Sequence, residues 1–398
     1  MSRKTLIEMA RHNMHHSNQG TVAGADRILE VPASHYYDQA RWRQEMDLLF
    51  KRMPLLLALT CEMPNPGDYR AMQASGVPIL ICRGKDGQVR AFLNMCAHRG
   101  AQIMEEGSGN SHRLTCPYHA WTYNYEGELI GVFSEKEFGD IDKSCHGLRE
   151  LPCLERSGLI WVTPNPDSTL PIEAFLSGYD DMLGHFNFES WHLFERRTVA
   201  GPNWKIAYDG YLDLYHLPIL HKNTFGSNFP HKSMYYAWGP HQRVASPDPS
   251  LLELSDKPED TWPTQHLMSG VWTVFPHVSI AGFDGGGRSV MISQLFPGET
   301  PGTSVTVQNY VMENEPTEEQ AQQAHEQFAF LEHVVRDEDY ATGLKQQQAL
   351  ETGFKEHMLF GRNEEGGQRF HGWVDRILNT SDADLPGLFT SSDVEYSE

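Results

Sequence analysis

Cys96-Ala97-His98-Arg99-Gly100 and Cys116-Pro117-Tyr118-His119-Ala120-Trp121 place two cysteine–histidine pairs in one short stretch, with 17 residues between His98 and Cys116. Two thiolates and two imidazoles delivered from two short loops make a metal site. Zinc accepts such a set, but its usual spacing groups like ligands, C-x2-4-C followed by H-x3-5-H. Here each loop supplies one of each. The order C-x-H-x17-C-x2-H suits a [2Fe–2S] centre in which one iron keeps two thiolates and the other takes two imidazoles, an exchange that raises the reduction potential. A structural zinc on the same four residues is the rival reading.

Outward from these loops the texture is that of a small all-β module. Val77–Cys82 and Val89–Asn94 flank Gly84-Lys85-Asp86-Gly87, a turn between two strands. His112–Cys116, Trp121–Tyr125 and Gly158–Val162 continue the pattern, and Pro164-Asn165-Pro166-Asp167-Ser168 reads as a closing linker. Rigid strands would hold the loop tips that bind metal. Residues 1–52 are polar with scattered apolar positions and read as helices packed on the rest.

Beyond the linker lies a larger mixed region. Val271–Phe275, Arg288–Phe296 and Ser304–Met312 read as three consecutive strands of a meander. A long helix then starts at Thr317, an N-cap with Gln320 completing a capping box and Glu318 and Glu319 in the first turn. Residues 223–269 lack periodicity and read as a functional lid.

A second donor set follows Asn203-Trp204-Lys205, in Asp209-Gly210-Tyr211-Leu212-Asp213-Leu214-Tyr215-His216-Leu217-Pro218-Ile219-Leu220-His221. On a helix Asp209, Asp213 and His216 share one face. His221 would point about 140° away on an unbroken helix, so the expectation is a kink or stop at Pro218 that swings it back. Two histidines with nearby carboxylates are the material of an iron(II) facial triad, which leaves positions open for O2. Asp337-Glu338-Asp339 offers three carboxylates as the third ligand. Phe328, Leu331 and Val335 form an apolar helical stripe, and Asp339 continues it, whereas Asp337 and Glu338 would face solvent. A carboxylate on a buried stripe is costly unless it is paired or binds metal.

Both ligand loops resemble those of Rieske iron–sulfur domains in oxygenases, and the second set resembles the mononuclear iron motif D/N-x3-D-x2-H-x4-5-H of Rieske non-haem iron oxygenases. The two motifs occur in family order, and the resemblance spans about residues 45–375. It implies an alpha, or terminal oxygenase, subunit of the ring-hydroxylating type. The fold class is then α+β: a small all-β Rieske [2Fe–2S] domain at 53–166, and a helix-grip (START/Bet v 1-like) catalytic domain with an antiparallel sheet at 167–398. Cys96, His98, Cys116 and His119 would hold one cluster. His216, His221 and Asp339 would hold one Fe(II), the last resembling the family's Asp of an E-D pair some seven residues before a Gln, here Gln346. Asp213 would bridge His216 to a Rieske histidine, His119 of the partner subunit, and Asp209 matches a position that is often Asn. Phe360-Gly361-Arg362-Asn363-Glu364 and Phe370-His371-Gly372-Trp373 resemble the terminal segment and are assigned structural roles.

The activity implied is insertion of oxygen into an apolar or aromatic small molecule, by mono- or dioxygenation or oxidative demethylation, as in aromatic compound catabolism. Aromatic acids, polycyclics, steroids and quaternary amines are all within the family's range. No Gly-rich dinucleotide fingerprint is present, so a separate NAD(P)H reductase, with or without a ferredoxin, would supply electrons. A head-to-tail homotrimer, α3 or α3β3, would bring one subunit's cluster to the next subunit's iron. Tyr208, Tyr211, Tyr215 and Phe225 are candidate pocket residues. The alternatives are an electron-transfer protein with a non-catalytic second domain, or a zinc-stabilised helix-grip binding protein without redox chemistry.

Composition narrows the partners. With 32 Lys+Arg against 53 Asp+Glu the formal net charge is −21, which argues against nucleic acid and against an anionic membrane. Met1-Ser2-Arg3-Lys4 is followed by no apolar stretch of signal-peptide length, and Leu55–Leu59 is too short to span a bilayer. Cys61, Cys82, Cys145 and Cys153 read as reduced, packed thiols of a cytoplasmic protein.

Overall fold

Short apolar runs separated by tight turns become the strands that carry the first pair of loops. A computed structural model describes residues 2–22 and 24–396. Its five-stranded antiparallel sheet runs, in spatial order, Glu150–Leu151, Val89–Leu93, Val77–Arg83, Asp68–Ala74 and Gly107–Asn110. The Gly84–Gly87 turn joins two of these as expected, with Gly87 at φ +81° where a side chain would be strained. A three-stranded sheet of Leu114–Thr115, Thr122–Tyr123 and Leu129–Gly131 carries the second ligand loop. These two sheets enclose a small core that includes Leu80, Phe92, Trp121 and Tyr123.

A third small sheet, Cys153–Arg156, Leu159–Val162 and Leu55–Leu59, behaves differently. Leu55–Leu59 and Leu159–Val162 are buried along their whole lengths and join the large core of the C-terminal region. A continuous apolar run is the signature of a strand buried on both faces. The junction is also ionic: the Glu62 carboxylate, its side chain 3% exposed, takes hydrogen bonds from Arg70, at 2.6 Å, and from Arg196 of the large sheet.

The large sheet has eight antiparallel strands, in the order His192–Gly201, Ser304–Met312, Ser289–Pro297, Val278–Phe283, Val271–Val274, His241–Ala245, Met234–Trp238 and Glu395–Tyr396. Two departures from the sequence reading stand out. Val278–Phe283 intervenes in the expected meander, masked by the three-residue turn Phe275-Pro276-His277 that precedes it. Part of the supposed lid, residues 234–245, is a hairpin that fills the sixth and seventh places of the sheet. Its strands are buried on both faces, so they show no alternation to read.

Across the sheet lies the long helix Glu318–His333, which packs Phe328 and Leu331 on Tyr310 and Met312. Its start has both halves of the capping box: Gln320 N–H donates to Thr317 Oγ1, and Thr317 N–H to Gln320 Oε1. The helix then widens to a π-helix over Val334–Tyr340 before continuing as Ala341–Leu350. The N-terminal residues pack on this region through the buried face of Ser2–Gln19, through Asn13 donating to the Ser246 carbonyl, and through buried Glu45. Glu45 accepts from Lys205 Nζ at 2.5 Å and Trp204 Nε1 at 3.0 Å. No helix among the described residues is long and apolar enough to cross a membrane. The remaining cysteines are unpaired; Cys145 is exposed rather than packed, donating to Asp142, while burial pushes Cys61, Cys82 and Cys153 up to about 12.

Candidate metal centres

The two Cys-His loops are near copies of one another in backbone. Cys96 N–H donates to the Ala101 carbonyl and Cys116 N–H to the Trp121 carbonyl, each at 2.8 Å. Gly100 N–H returns to the Cys96 carbonyl and Ala120 N–H to the Cys116 carbonyl, and both residues have positive φ, +77° and +53°. Each turn directs its cysteine inward and its histidine to the tip: Cys96 and Cys116 are buried, His98 and His119 are part exposed. The imidazole centroids lie 4.8 Å apart, and His98 stacks on Trp121. Tyr123 Oη sits 3.2 Å from Cys96 Sγ and accepts from Ala97 N–H at 3.1 Å.

The donor set fits a two-iron cluster. His119 Nδ1 is buried without a hydrogen-bond partner, the condition of an atom reserved for a metal. Burial raises the Cys116 thiol, so its thiolate needs a compensating cation. A single tetrahedral zinc holds its ligand atoms roughly 3.3–3.8 Å apart. Among the described residues the only group of three or more donors whose atoms all lie within 4.8 Å of one another is His216, His221 and Asp339. By its chemistry, one thiolate and one imidazole from each loop, the Cys-His set would suit a two-iron cluster.

The second site is not built on one helix. Trp204–Asp209 ends at Gly210, a turn follows, and Pro218 lies in the first turn of a separate short helix, Leu217–Leu220. Pro218 therefore starts a helix rather than stopping one, which is where its missing N–H costs nothing. The effect on the histidines is the expected one by another route. His216 caps the short helix and His221 follows it, with ring centroids 5.2 Å apart. Asp339 Oδ1 lies 3.1 Å from His221 Nε2 and 3.8 Å from His216 Nε2.

The opposite nitrogens are held as well. His216 Nδ1 donates to Asp213 Oδ1 at 3.1 Å, and the same oxygen accepts the His216 backbone N–H at 3.2 Å. His221 Nδ1 donates to Glu338 Oε2 at 2.7 Å. Glu338 thus does not face solvent, as an α-helical register would have it. In the π-helix each turn takes in an extra residue, and adjacent Glu338 and Asp339 address the two edges of one imidazole. The same turn aims Tyr340 into the sheet, where its hydroxyl lies 2.5 Å from Thr306 Oγ1 and its ring edge would stand 3.0 Å from a Cβ at Gly201. Asp337 does face solvent, paired with Arg336 and His333. Burial alone would lower the His221 pKa; Asp339 and then Glu338 outweigh it and raise it.

Asp209 lines the same cavity as the three converging donors but is not one of them. Its carboxylate accepts from Tyr36 Oη at 2.9 Å and from His371 Nε2 at 3.0 Å, joining the N-terminal segment to the helix Glu365–Leu378. The C-terminal motifs reach further than a structural role: Phe360 and Glu364 line the same cavity as the histidines. That cavity holds about 470 Å3 and is walled by Leu217, Leu220, Phe225, Phe283 and Leu331 beside His216, His221 and Asp339. Tyr211 and Phe225 line it, while Tyr208 and Tyr215 do not.

Comparison with known proteins gives the same two parts. The family model of the Rieske [2Fe-2S] domain matches residues 53–149, and that of the ring hydroxylating alpha subunit (catalytic domain) matches 188–380. The chain is 31% identical over 199 residues to the glycine betaine monooxygenase oxygenase subunit of Chromohalobacter salexigens, a match covering 50% of this chain and 44% of the relative. The chain spans about half the length of the curated relatives it matches. In fold it resembles the quaternary ammonium Rieske monooxygenase CntA (TM-score 0.75, 21% identity, 89% of this chain and 96% of that one). It also resembles naphthalene 1,2-dioxygenase from Rhodococcus sp. (TM-score 0.74, 19% identity, 96% and 100%).

Proposed function

Because the chain belongs to the Rieske non-haem iron oxygenases, with the family's iron–sulfur domain followed by its ring-hydroxylating catalytic domain, we propose that it is the terminal oxygenase component of a multicomponent system. It takes O2 and electrons from a separate NAD(P)H reductase, directly or through a ferredoxin, and hydroxylates or oxidatively demethylates a small molecule. The observation that carries this reading is the convergence of His216, His221 and Asp339 on the wall of a largely apolar cavity. When bound, the cluster held by Cys96, His98, Cys116 and His119 supplies electrons one at a time, and the iron held by the other three activates O2.

The remaining work belongs to the side chains. Asp213 fixes the His216 ring with Nε2 toward Asp339 and stays part exposed, so it can also receive a histidine N–H from outside. In this role Asp213 connects His216 to His119 of the partner subunit. Exposed apolar side chains support a head-to-tail trimer: Met95, Tyr118 and Phe138 surround the cluster tip, and Tyr215 and Ile219 flank His216. Among the described residues no lysine or arginine lines the cavity, which favours an uncharged or cationic substrate over an organic acid. Asp209, on the cavity wall, secures the helix end through Tyr36 and His371 and keeps its carboxylate at the site.

The reading is tested by oxygen uptake with NADH and a phthalate- or naphthalene-type reductase over a panel of aromatic and amine substrates, using 18O2 and mass spectrometry. Incorporation of one or two labelled atoms into product is the expected result. Electron flow to the cluster without substrate-linked oxygen consumption, across the panel, would leave the electron-transfer alternative in its place.

A further inference from the structure

The two histidines of the mononuclear site are held in the same way by unlike partners. His216 gives its Nδ1 hydrogen to Asp213 and His221 gives its own to Glu338, leaving both Nε2 atoms turned toward Asp339. A metal-bound histidine almost always donates its second N–H to such an acceptor, which fixes tautomer and ring orientation and makes the ligand more basic. Asp213 is available for this because it sits in the turn before His216. Glu338 lies with Asp339 in the π-turn, where the wider turn brings neighbouring side chains closer in angle and shifts them from the register of the helix before it. π-Turns of this kind are uncommon and concentrate at functional sites.

We propose that Glu338 is a positioning residue for the mononuclear iron: it holds His221 through Nδ1, and the π-turn at Val334–Tyr340 is the device that lets one helix supply both this acceptor and the Asp339 ligand. This inference rests on the proposed iron site. Glu338 is itself held. Thr224 Oγ1 lies 2.8 Å from the same carboxylate oxygen and 3.1 Å from the His221 carbonyl, closing a ring of contacts around one imidazole. His221 is buried, so an Nδ1 hydrogen that lost its partner would be costly. Asp337, one residue earlier and exposed, makes no contact with either histidine and serves as the control.

The test uses the full-length protein with its cluster intact. Wild type, Glu338→Ala, Glu338→Gln and Asp337→Ala are depleted of mononuclear iron, and Fe(II) affinity is measured anaerobically by chelator competition. The visible spectrum of the cluster reports folding, and the EPR signal of the Fe(II)–nitric oxide adduct reports ligand geometry. Glu338→Ala is expected to weaken Fe(II) binding roughly 10–100-fold and to change the nitrosyl signal with the cluster spectrum unchanged. Glu338→Gln keeps an acceptor oxygen without the charge and should fall between, while Asp337→Ala should match wild type. If Glu338→Ala loses its cluster, Glu338→Gln decides. Wild-type affinity and an unchanged nitrosyl signal in whichever glutamate variant folds would overturn the inference. A wild type that takes up no iron beyond the cluster's would instead overturn the proposed iron site.

Discussion

At the cluster tip all four donors come from one stretch, Cys96 to His119, on two loops with the same backbone pattern. At the other site the donors come from two segments so distant that His221 and the carboxylate on its Nδ1 are 117 residues apart. The first site is set by local chemistry: tight turns, positive φ at Gly100 and Ala120, and thiols turned into a small core. The second exists only once the long helix lies on the sheet in its π register. A local site should therefore survive damage to the distant one, and the junction between the regions should be where both fail together.

The sharpest break is at the distant site. Asp339→Ala should abolish mononuclear iron binding and lower turnover by at least about 10^3-fold, as removal of a direct metal ligand from a three-donor set implies. The cluster's visible spectrum should be unchanged; its loss would mean the two sites are not separable.

At the junction, Glu62→Gln would leave Arg70 and Arg196 without their shared carboxylate, and breaking such a buried pair costs about 3–5 kcal/mol, read as a lower midpoint of denaturant unfolding. The sign with pH follows. Burial would raise Glu62, but Arg70 and then Arg196 lower it below the usual carboxylate range. Its contribution is present above the unfolded value and is lost as pH falls through the folded one, so wild type should lose stability in acid more steeply than the variant. Equal acid slopes would detach Glu62 from the junction.

Between the sites, Asp213→Ala should leave both metals bound and slow turnover roughly 100-fold, because His216 loses its acceptor and, in the proposed trimer, the path between the centres loses a link. Unchanged single-turnover kinetics would remove Asp213 from that path.

The smallest effect is confined to the tip. Tyr123→Phe deletes the hydroxyl beside Cys96 Sγ, and losing a hydrogen bond worth about 1.4 kcal/mol in the reduced state should lower the one-electron potential by about 60 mV. Redox titration followed by EPR reads the shift, and iron affinity at the other site should not move.

The same contrast explains what could be read from the residues. The Cys-His loops, the Gly84–Gly87 hairpin and the Thr317 capping box were legible because each is a short-range device. The apolar stripe of an α-helix points to Asp339, which does reach the histidines, but through a π-turn at Val334–Tyr340 that the α-helical register does not describe. The role of Glu338 is not legible, because nothing in Val334–Tyr340 announces a π-turn; the turn comes with tertiary contacts, Tyr340 reaching Thr306 and closely approaching Gly201. The hairpin at 234–245 was hidden for a related reason, burial on both faces having removed the alternation that marks a strand. The contacts of Asp209 are equally illegible in the sequence, because its partners, Tyr36 and His371, lie at opposite ends of the chain.

The most direct test of two unlike iron sites in one chain is a metal, sulfide and EPR analysis of protein purified without oxygen, before and after dithionite. About three irons and two acid-labile sulfides per chain are expected, with a Rieske-type signal appearing on reduction. Colourless protein with one zinc per chain and no sulfide would contradict the account.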